Sequence, residues 1–285
     1  MTSILFGIIN AFIGSLSQIT YKKSVASNPV SQNVFMWMGN MVYLIVGISL
    51  FFFVPTDILH TPLLILAIFL AINITSSFAI LIEQKLYKEE KISTLAPFNN
   101  LDSIFIIIIS FIRFSGQSVV SLIMAIIAVL IITFGSLDYK KISFPKNIYL
   151  ILITKRIRAI KGLSMGYILK EILVTDAFIL NNLFYVGLNI FVILFISKDF
   201  LTIKKSNPSF LKQRFTTSAL GALTSIISLF LISNLGLIVS NLLGFLSLSV
   251  TLILSFFMFG DKPTKKTILI TFAVSSCIVI GYIYK

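Results

Sequence analysis

The sequence has very little of what soluble enzymes work with. One cysteine, Cys277, and one histidine, His60, occur in 285 residues, so an intrachain disulfide is excluded and no His/Cys cluster can hold a metal. Only 10 residues are acidic, and no histidine lies in an apolar run. A membrane enzyme acting on lipid phosphate would need a convergent acid, base and nucleophile, and none can be assembled. The chain reads as a non-enzyme without a cofactor. It also lacks a GxxxxGK[ST] loop, which removes nucleotide hydrolysis as a driving force. Charged residues make up 12% of the chain, with no polar stretch long enough for a soluble domain. Despite a net charge of +13, nothing is left over to bind nucleic acid.

What is there is hydrocarbon. Hydrophobic residues reach 57%, including 27 phenylalanines, more than a soluble core of this size can hide. The expected class is an all-α integral membrane protein whose surroundings are the lipid bilayer. Apolar runs of membrane-crossing length fall near 3–21, 34–54, 63–86, 93–113, 118–137, 152–173, 179–197, 215–233, 236–258 and 266–284, giving ten spans. The first, Ile4 to Thr20, lacks a basic leader and runs into Tyr21-Lys22-Lys23 rather than a small-residue cleavage site, so it is expected to be retained. The longest connections, Asp138 to Lys146 and Lys198 to Lys212, are basic, contain Pro145 and Pro208, and read as solvated turns.

The two halves, 1–140 and 141–285, can be laid on each other. An offset of 148 places Lys22 on Lys170 and Gly39 on Gly187, and an offset of 145 places Phe114 on Phe259 and Ser136 on Gly281. Five spans is an odd number, so a tandem repeat emerges with opposite orientations. Two five-helix inverted repeats of this kind form one membrane domain, with a substrate site near the midplane between them.

The five-plus-five pattern, the KISTLAPFNNL stretch and the closing LSLSVTLILSFFMFGDKPTKKTILITFAVSSCIVIGYIYK resemble the drug/metabolite transporter superfamily, in its ten-helix EamA-like branch. The acidic residue usual after the ninth helix of that family corresponds to Asp261, whereas the first-half counterpart near Ser115 and Gly116 is not acidic. The resemblance implies a multi-pass transporter of the cytoplasmic (inner) membrane for a small-molecule substrate, with both termini inside. Charge points the other way. Alternating the spans gathers 20 of the 23 Lys and Arg residues on one face and leaves Arg113, Lys170 and Lys285 on the other. The positive-inside rule then puts both termini outside the cytoplasm.

Candidate site residues are the polar groups that hydrocarbon should exclude. In the fourth span Asn99, Asp102 and Ser103 share one helical face, with Asn100 at its edge, and Pro97 frees the carbonyl of Ser93 just before it. An intramembrane carboxylate is costly, about 2.5 to 3.5 kcal/mol on insertion scales, so Asp102 is read as a substrate or proton-exchanging group, with interhelical glue as the alternative. Asn10, Trp37, Asn40, Asn73, Tyr185 and Asn189 complete the expected substrate-binding set. Each also has a packing role open to it, and Trp37 an interfacial one. Glu83 is either a second ion-coupling group or a snorkelling interfacial partner of Lys85 and Lys88. Lys161 is an anion contact if the sixth helix begins near 152 and an interfacial charge if it begins near Ala159. Gly162 and Gly166 form a GxxxG step suited to close helix packing.

The expected function is alternating-access transport of small polar, amino-acid-like or amphipathic compounds, by a monomer or homodimer, with proton coupling at Asp102 as one option. A transporter or flippase of phosphate-bearing, lipid-linked or nucleotide-linked sugars, using the Lys155 to Lys161 cluster, is the alternative. A non-transporting membrane partner protein is a third reading.

Overall fold

The structure is a computed structural model that describes the backbone of residues 2–26, 28–89, 105–107, 109, 118–135, 148–197, 199–247, 250, 254 and 265–284. At 2–4, 18, 19, 22, 23, 25, 26, 83–89, 132, 133, 135, 148, 266 and 267 the backbone alone is described. Helix accounts for 90% of the described residues, and no strand occurs among them. The helices are α1 (Thr2–Ala26), α2 (Gln32–Leu50), α3 (Leu63–Glu89), α4 (Val119–Gly135), α5 (Ile148–Glu171), α6 (Val174–Phe191), α7 (Pro208–Gly244) and α8 (Lys265–Ile283). A π-helical stretch, Val192–Ser197, prolongs α6, and the 3-10 segments Ile58–His60 and Asp199–Lys205 lie before α3 and α7.

Among the described residues four segments are long and apolar enough to cross a membrane: Gln32–Leu50, Leu63–Ile82, Val174–Ser197 and Pro208–Gly244. Shorter apolar helices cover Leu5–Ser17, Val119–Ile131 and Ile268–Ile283. A helix satisfies its own backbone, which makes it one of the few structures hydrocarbon admits. The outward faces fit that medium, with Phe52, Leu63, Leu269 and Phe272 all more than 70% exposed.

Several expected boundaries move. Pro208 is no solvated turn: it is the first residue of α7, and the Asn207 Oδ1 accepts a hydrogen bond from the Phe210 N–H at 2.8 Å. Proline fits the first helical position because its missing N–H is not needed there, and asparagine is a preferred cap. The sixth expected helix begins at Ile148 rather than near 152 or Ala159, so Lys155, Arg156, Arg158 and Lys161 all lie inside α5. The break expected between residues 233 and 236 is real but abrupt. Helical hydrogen bonding runs through it, and Gly236 alone departs, at φ 78 and ψ 169. Most of the fourth expected span, 93–113, and most of the ninth beyond position 247 lie outside the described residues.

Packing joins helices far apart in sequence. The α1 helix runs along α7, α3 along α5, α2 along α6, and α4 along α8, while α7 also touches α2, α5 and α6. The Phe6–Phe230, Gly14–Thr224 and Tyr21–Arg214 contacts show that α1 and α7 are antiparallel. Gly47 against Phe178 and Ile179, with Phe35 and Ile193 in one cluster, shows the same for α2 and α6. In α5 a Cβ on Gly162 would press on Ile106, and one on Gly166 would overlap Leu237. The GxxxG step is thus occupied by two close partners.

The Gly236 conformation belongs to a region open almost only to glycine. Gly236→Ala is expected to destabilise the protein by about 1 to 3 kcal/mol, read as a lowered midpoint of thermal unfolding in detergent. An unchanged midpoint would show that the break relaxes without cost.

Candidate functional site

At the basic end of α7, Arg214 lies six residues, about 9 Å, inside the helix and is 7% exposed. Its Nε and Nη2 both donate to the backbone carbonyl oxygen of Phe35, at 3.1 and 2.9 Å. That carbonyl already belongs to the first turns of α2, and the side chain four residues on, at position 39, would normally flank it. Position 39 is glycine, and a Cβ there would overlap the guanidinium. The Phe35 ring completes the cradle, 3.8 Å from Cζ, with the Tyr21 ring at 5.9 Å. No carboxylate lies within ion-pair distance of Arg214 among the described residues. The charge is therefore held by one carbonyl and two aromatic faces, which together offset part of its desolvation.

From this clamp a polar ladder runs along the contact of α1 and α7. Ser17 Oγ donates to the Thr217 carbonyl at 3.4 Å, and Asn10 Nδ2 donates to Ser228 Oγ at 3.0 Å. Asn10 Oδ1 is buried without a partner among the described residues. On the α2 side the Tyr43 ring stacks on Phe178 with centroids 6.3 Å apart, and its hydroxyl occupies the space a Cβ on Gly221 would need.

A second polar group sits where α5, α6 and α3 meet. Lys161, thirteen residues or about 20 Å into α5, donates from Nζ to the Tyr185 hydroxyl at 3.1 Å and stands 4.4 Å from that ring's centroid. Tyr185 and Asn189 lie one turn apart on the buried face of α6, at 5% and 4% exposure. Asn189 Nδ2 has no acceptor among the described residues. On α3 Asn73 is fully buried, with Nδ2 donating to the Phe69 carbonyl at 2.8 Å and Oδ1 unpartnered, and Ser76 Oγ is likewise orphaned. The Phe69 ring stacks on Phe184 of α6 at 6.2 Å, which joins the two helices.

The expected set thus separates. Lys161, Tyr185 and Asn189 come together, and Asn73 faces α6 and α5 through its neighbours Phe69 and Ile72. Asn10 belongs to the α1–α7 ladder. Asn40, half-buried on α2, falls near the level of Tyr185 in the antiparallel α2–α6 pair. Trp37 packs elsewhere, edge-on to Phe200 at 6.4 Å in a cluster with Val34, Phe35, Ile193 and Phe210 at the basic end, with its Nε1 buried and without an acceptor among the described residues. Asn99, Asn100 and Asp102 lie outside the described residues, as does the Glu83 side chain, although position 83 is within α3. Phe105, Ile106 and Ile107, soon after Asp102 in sequence, are helical, and Ile106 packs with Ala159 and Leu237.

Sequence reasoning missed Arg214, which counted as one of the basic residues around a connection. Asn207-Pro208 was the available signal, since a cap followed by proline marks a helix start and puts position 214 well inside. It also missed Asp176, 1% exposed at the start of α6, whose Oδ2 accepts the Asp57 N–H at 2.9 Å and ties the α2–α3 connection down. In that connection Asp57 also pairs with His60 Nδ1. This hydrogen bond, and then the carboxylate's charge, raise the imidazole above its ordinary value.

No protein-family model and no curated protein matches this chain. A solved crystal structure of a protein aligns over 99% of this chain and 96% of its own, with a TM-score of 0.65 at 9% identity. At that identity the likeness is one of fold alone.

Two outcomes are expected. Gly39→Ala pushes the guanidinium off its carbonyl and leaves a buried charge without compensation, costing about 2 kcal/mol. Adding Arg214→Met to Gly39→Ala removes that charge and recovers most of the loss in thermal unfolding, whereas additive losses would contradict the clamp. His60, the single histidine, should titrate by NMR above about 6.5 and move back toward that value in Asp57→Asn. Its small contribution is fully present below about pH 6.5 and is lost as pH rises through the raised value. An unshifted titration in Asp57→Asn would contradict the pairing.

Proposed function

We propose that the chain is a ten-span carrier of the inner membrane, built from two inverted five-helix halves, that moves a small polar solute by alternating access. The observation that carries this reading is that buried polar atoms on helices of both halves lack partners among the described residues, among them Asn10 Oδ1, Trp37 Nε1, Asn73 Oδ1, Ser76 Oγ, Asn189 Nδ2 and Ser218 Oγ. Each costs about 1 to 3 kcal/mol if nothing meets it. Water or a polar solute beside these helices removes the cost.

The pattern of helix pairs supports the two-half design. In the ten-span reading α1, α2, α3 and α4 are spans one, two, three and five, and α5, α6, α7 and α8 are spans six, seven, eight and ten, with Gly236 between eight and nine. Exchanging the halves turns the α1–α7 pair into the α5–α3 pair, and it returns α2–α6 and α4–α8 to themselves. All four pairs are present. An in-plane two-fold axis requires this arrangement and makes α2 and α6 antiparallel, as they are. Such an axis places a solute site between the halves near mid-membrane.

A lining of asparagines, serines and tyrosines beside the Lys161 ammonium suits amino-acid-like solutes. Asp102, an intramembrane carboxylate, is the candidate for proton exchange. Neither an enzymatic step nor a cofactor is part of it.

Purified protein in liposomes should accumulate labelled amino acids under an imposed gradient or exchange them in counterflow. Asn73→Leu is expected to reduce the initial rate about tenfold, the equivalent of about 1.4 kcal/mol, with an unchanged unfolding midpoint. Absence of any flux across a broad amino-acid and metabolite panel would overturn the reading. A reporter active only in the cytoplasm should stay silent when fused after Lys285, and a strong signal there would reverse the orientation set by charge.

A further inference from the structure

We infer that Lys161, Tyr185 and Asn189 form an oxyanion subsite, so that the carried solute presents a carboxylate or phosphate-type group to the second half. This rests on the carrier reading and narrows its substrate class.

The argument is an imbalance between donors and acceptors. Lys161 Nζ has three N–H bonds, and one is spent on the Tyr185 hydroxyl oxygen at 3.1 Å. Because that oxygen accepts from the ammonium, the phenolic proton is free to point elsewhere. One turn along the same face, the Asn189 Nδ2 is buried and has no acceptor among the described residues. Two N–H bonds of an ammonium and one phenol O–H thus meet where α5 and α6 touch, and one unpartnered amide N–H lies a turn further along the same face of α6. No carboxylate lies within ion-pair distance of Lys161 among the described residues.

The chemistry that closes this imbalance is an oxyanion. It supplies several lone pairs to several donors at once, and its charge balances the ammonium in a charge-assisted hydrogen bond. A neutral carbonyl would satisfy one donor and leave the cation uncompensated. Lysine acts as a point charge rather than a planar fork, so the subsite accommodates both carboxylate and phosphate geometry. The Tyr185 ring face, 4.4 Å from Nζ, holds the cation in place while the anion is absent. Gly162, next to Lys161, lets Ile106 pack directly on α5, so an apolar wall borders the charge.

The test uses the full chain, purified in nanodiscs. Thermal unfolding and calorimetric titration are run with glutamate, succinate and inorganic phosphate, and with choline and inositol, which carry no carboxylate or phosphate, as the contrast. Wild type should be stabilised by at least one oxyanion and by neither contrast solute, and the ratio of carboxylate to phosphate affinity identifies the source of the group. Lys161→Met should abolish that stabilisation, Lys161→Arg should retain it within a few-fold, and Asn189→Ala should weaken binding about tenfold. If Lys161→Met does not fold, the Asn189→Ala and Lys161→Arg pair still decides. Equal oxyanion binding by wild type and Asn189→Ala, or by wild type and Lys161→Met, overturns the subsite. So does stabilisation that appears only in Asp102→Asn, which would make the chain's own carboxylate the counter-ion. Binding and flux of the contrast solutes without oxyanion binding would overturn the subsite and leave the carrier standing. Absence of binding and of flux for every solute would overturn both.

Discussion

Polar groups inside hydrocarbon must be satisfied by the protein, by water or by cargo, and most of this structure follows from that constraint. The backbone meets it by forming helices almost everywhere it is described. Side chains meet it by turning toward the contacts between first-half and second-half helices, where Asn10 reaches Ser228 and Ser17 reaches Thr217. Arg214 is the extreme case, because guanidinium is the most costly group to bury here. Its solution needs three residues that sequence separates widely: a carbonyl at Phe35, the missing side chain at Gly39, and an aromatic face. A clamp of this kind joins α2 to α7 at the basic end.

The other polar groups differ from Arg214 in being incompletely met. Arg214 has two short hydrogen bonds and two ring faces, whereas Lys161 has one hydroxyl and one face, and Asn189 Nδ2 has nothing among the described residues. The first arrangement is what a structural charge looks like. The second leaves capacity for a partner that comes and goes. This contrast, rather than polarity alone, separates the packing contacts from the candidate solute contacts.

Much of the fold was legible from the residues. Apolar runs located most of the described helices within a few positions, and the gap expected between the eighth and ninth spans falls beside the non-helical Gly236. Gly162 and Gly166 marked a close approach, now seen against Ile106 and Leu237. Pro208 was misread because proline signals either a turn or a helix start, and only the asparagine before it decides. That error hid the depth of Arg214. The start of α5 was obscured by four basic residues that looked like a loop, although long cationic side chains can lie along a helix and still reach a polar partner. The site was less legible than the fold. Asparagine and serine have the same letters whether they only bond to the preceding turn, as Asn182 and Ser77 do, or also leave a buried group without a partner among the described residues, as Asn73 Oδ1 does.

Wet, alternately exposed polar residues at the contact of the two halves are the central claim, and accessibility measures them directly. In a Cys277→Ser background, Asn73→Cys and Asn189→Cys would be treated with a membrane-impermeant maleimide from each side in turn. The account predicts labelling of both from both sides, slowed by a transported solute, with Ile74→Cys on the exposed face of α3 unreactive. Unreactive Asn73→Cys and Asn189→Cys from either side would mean that the polar groups lie in sealed packing, and the account would be wrong.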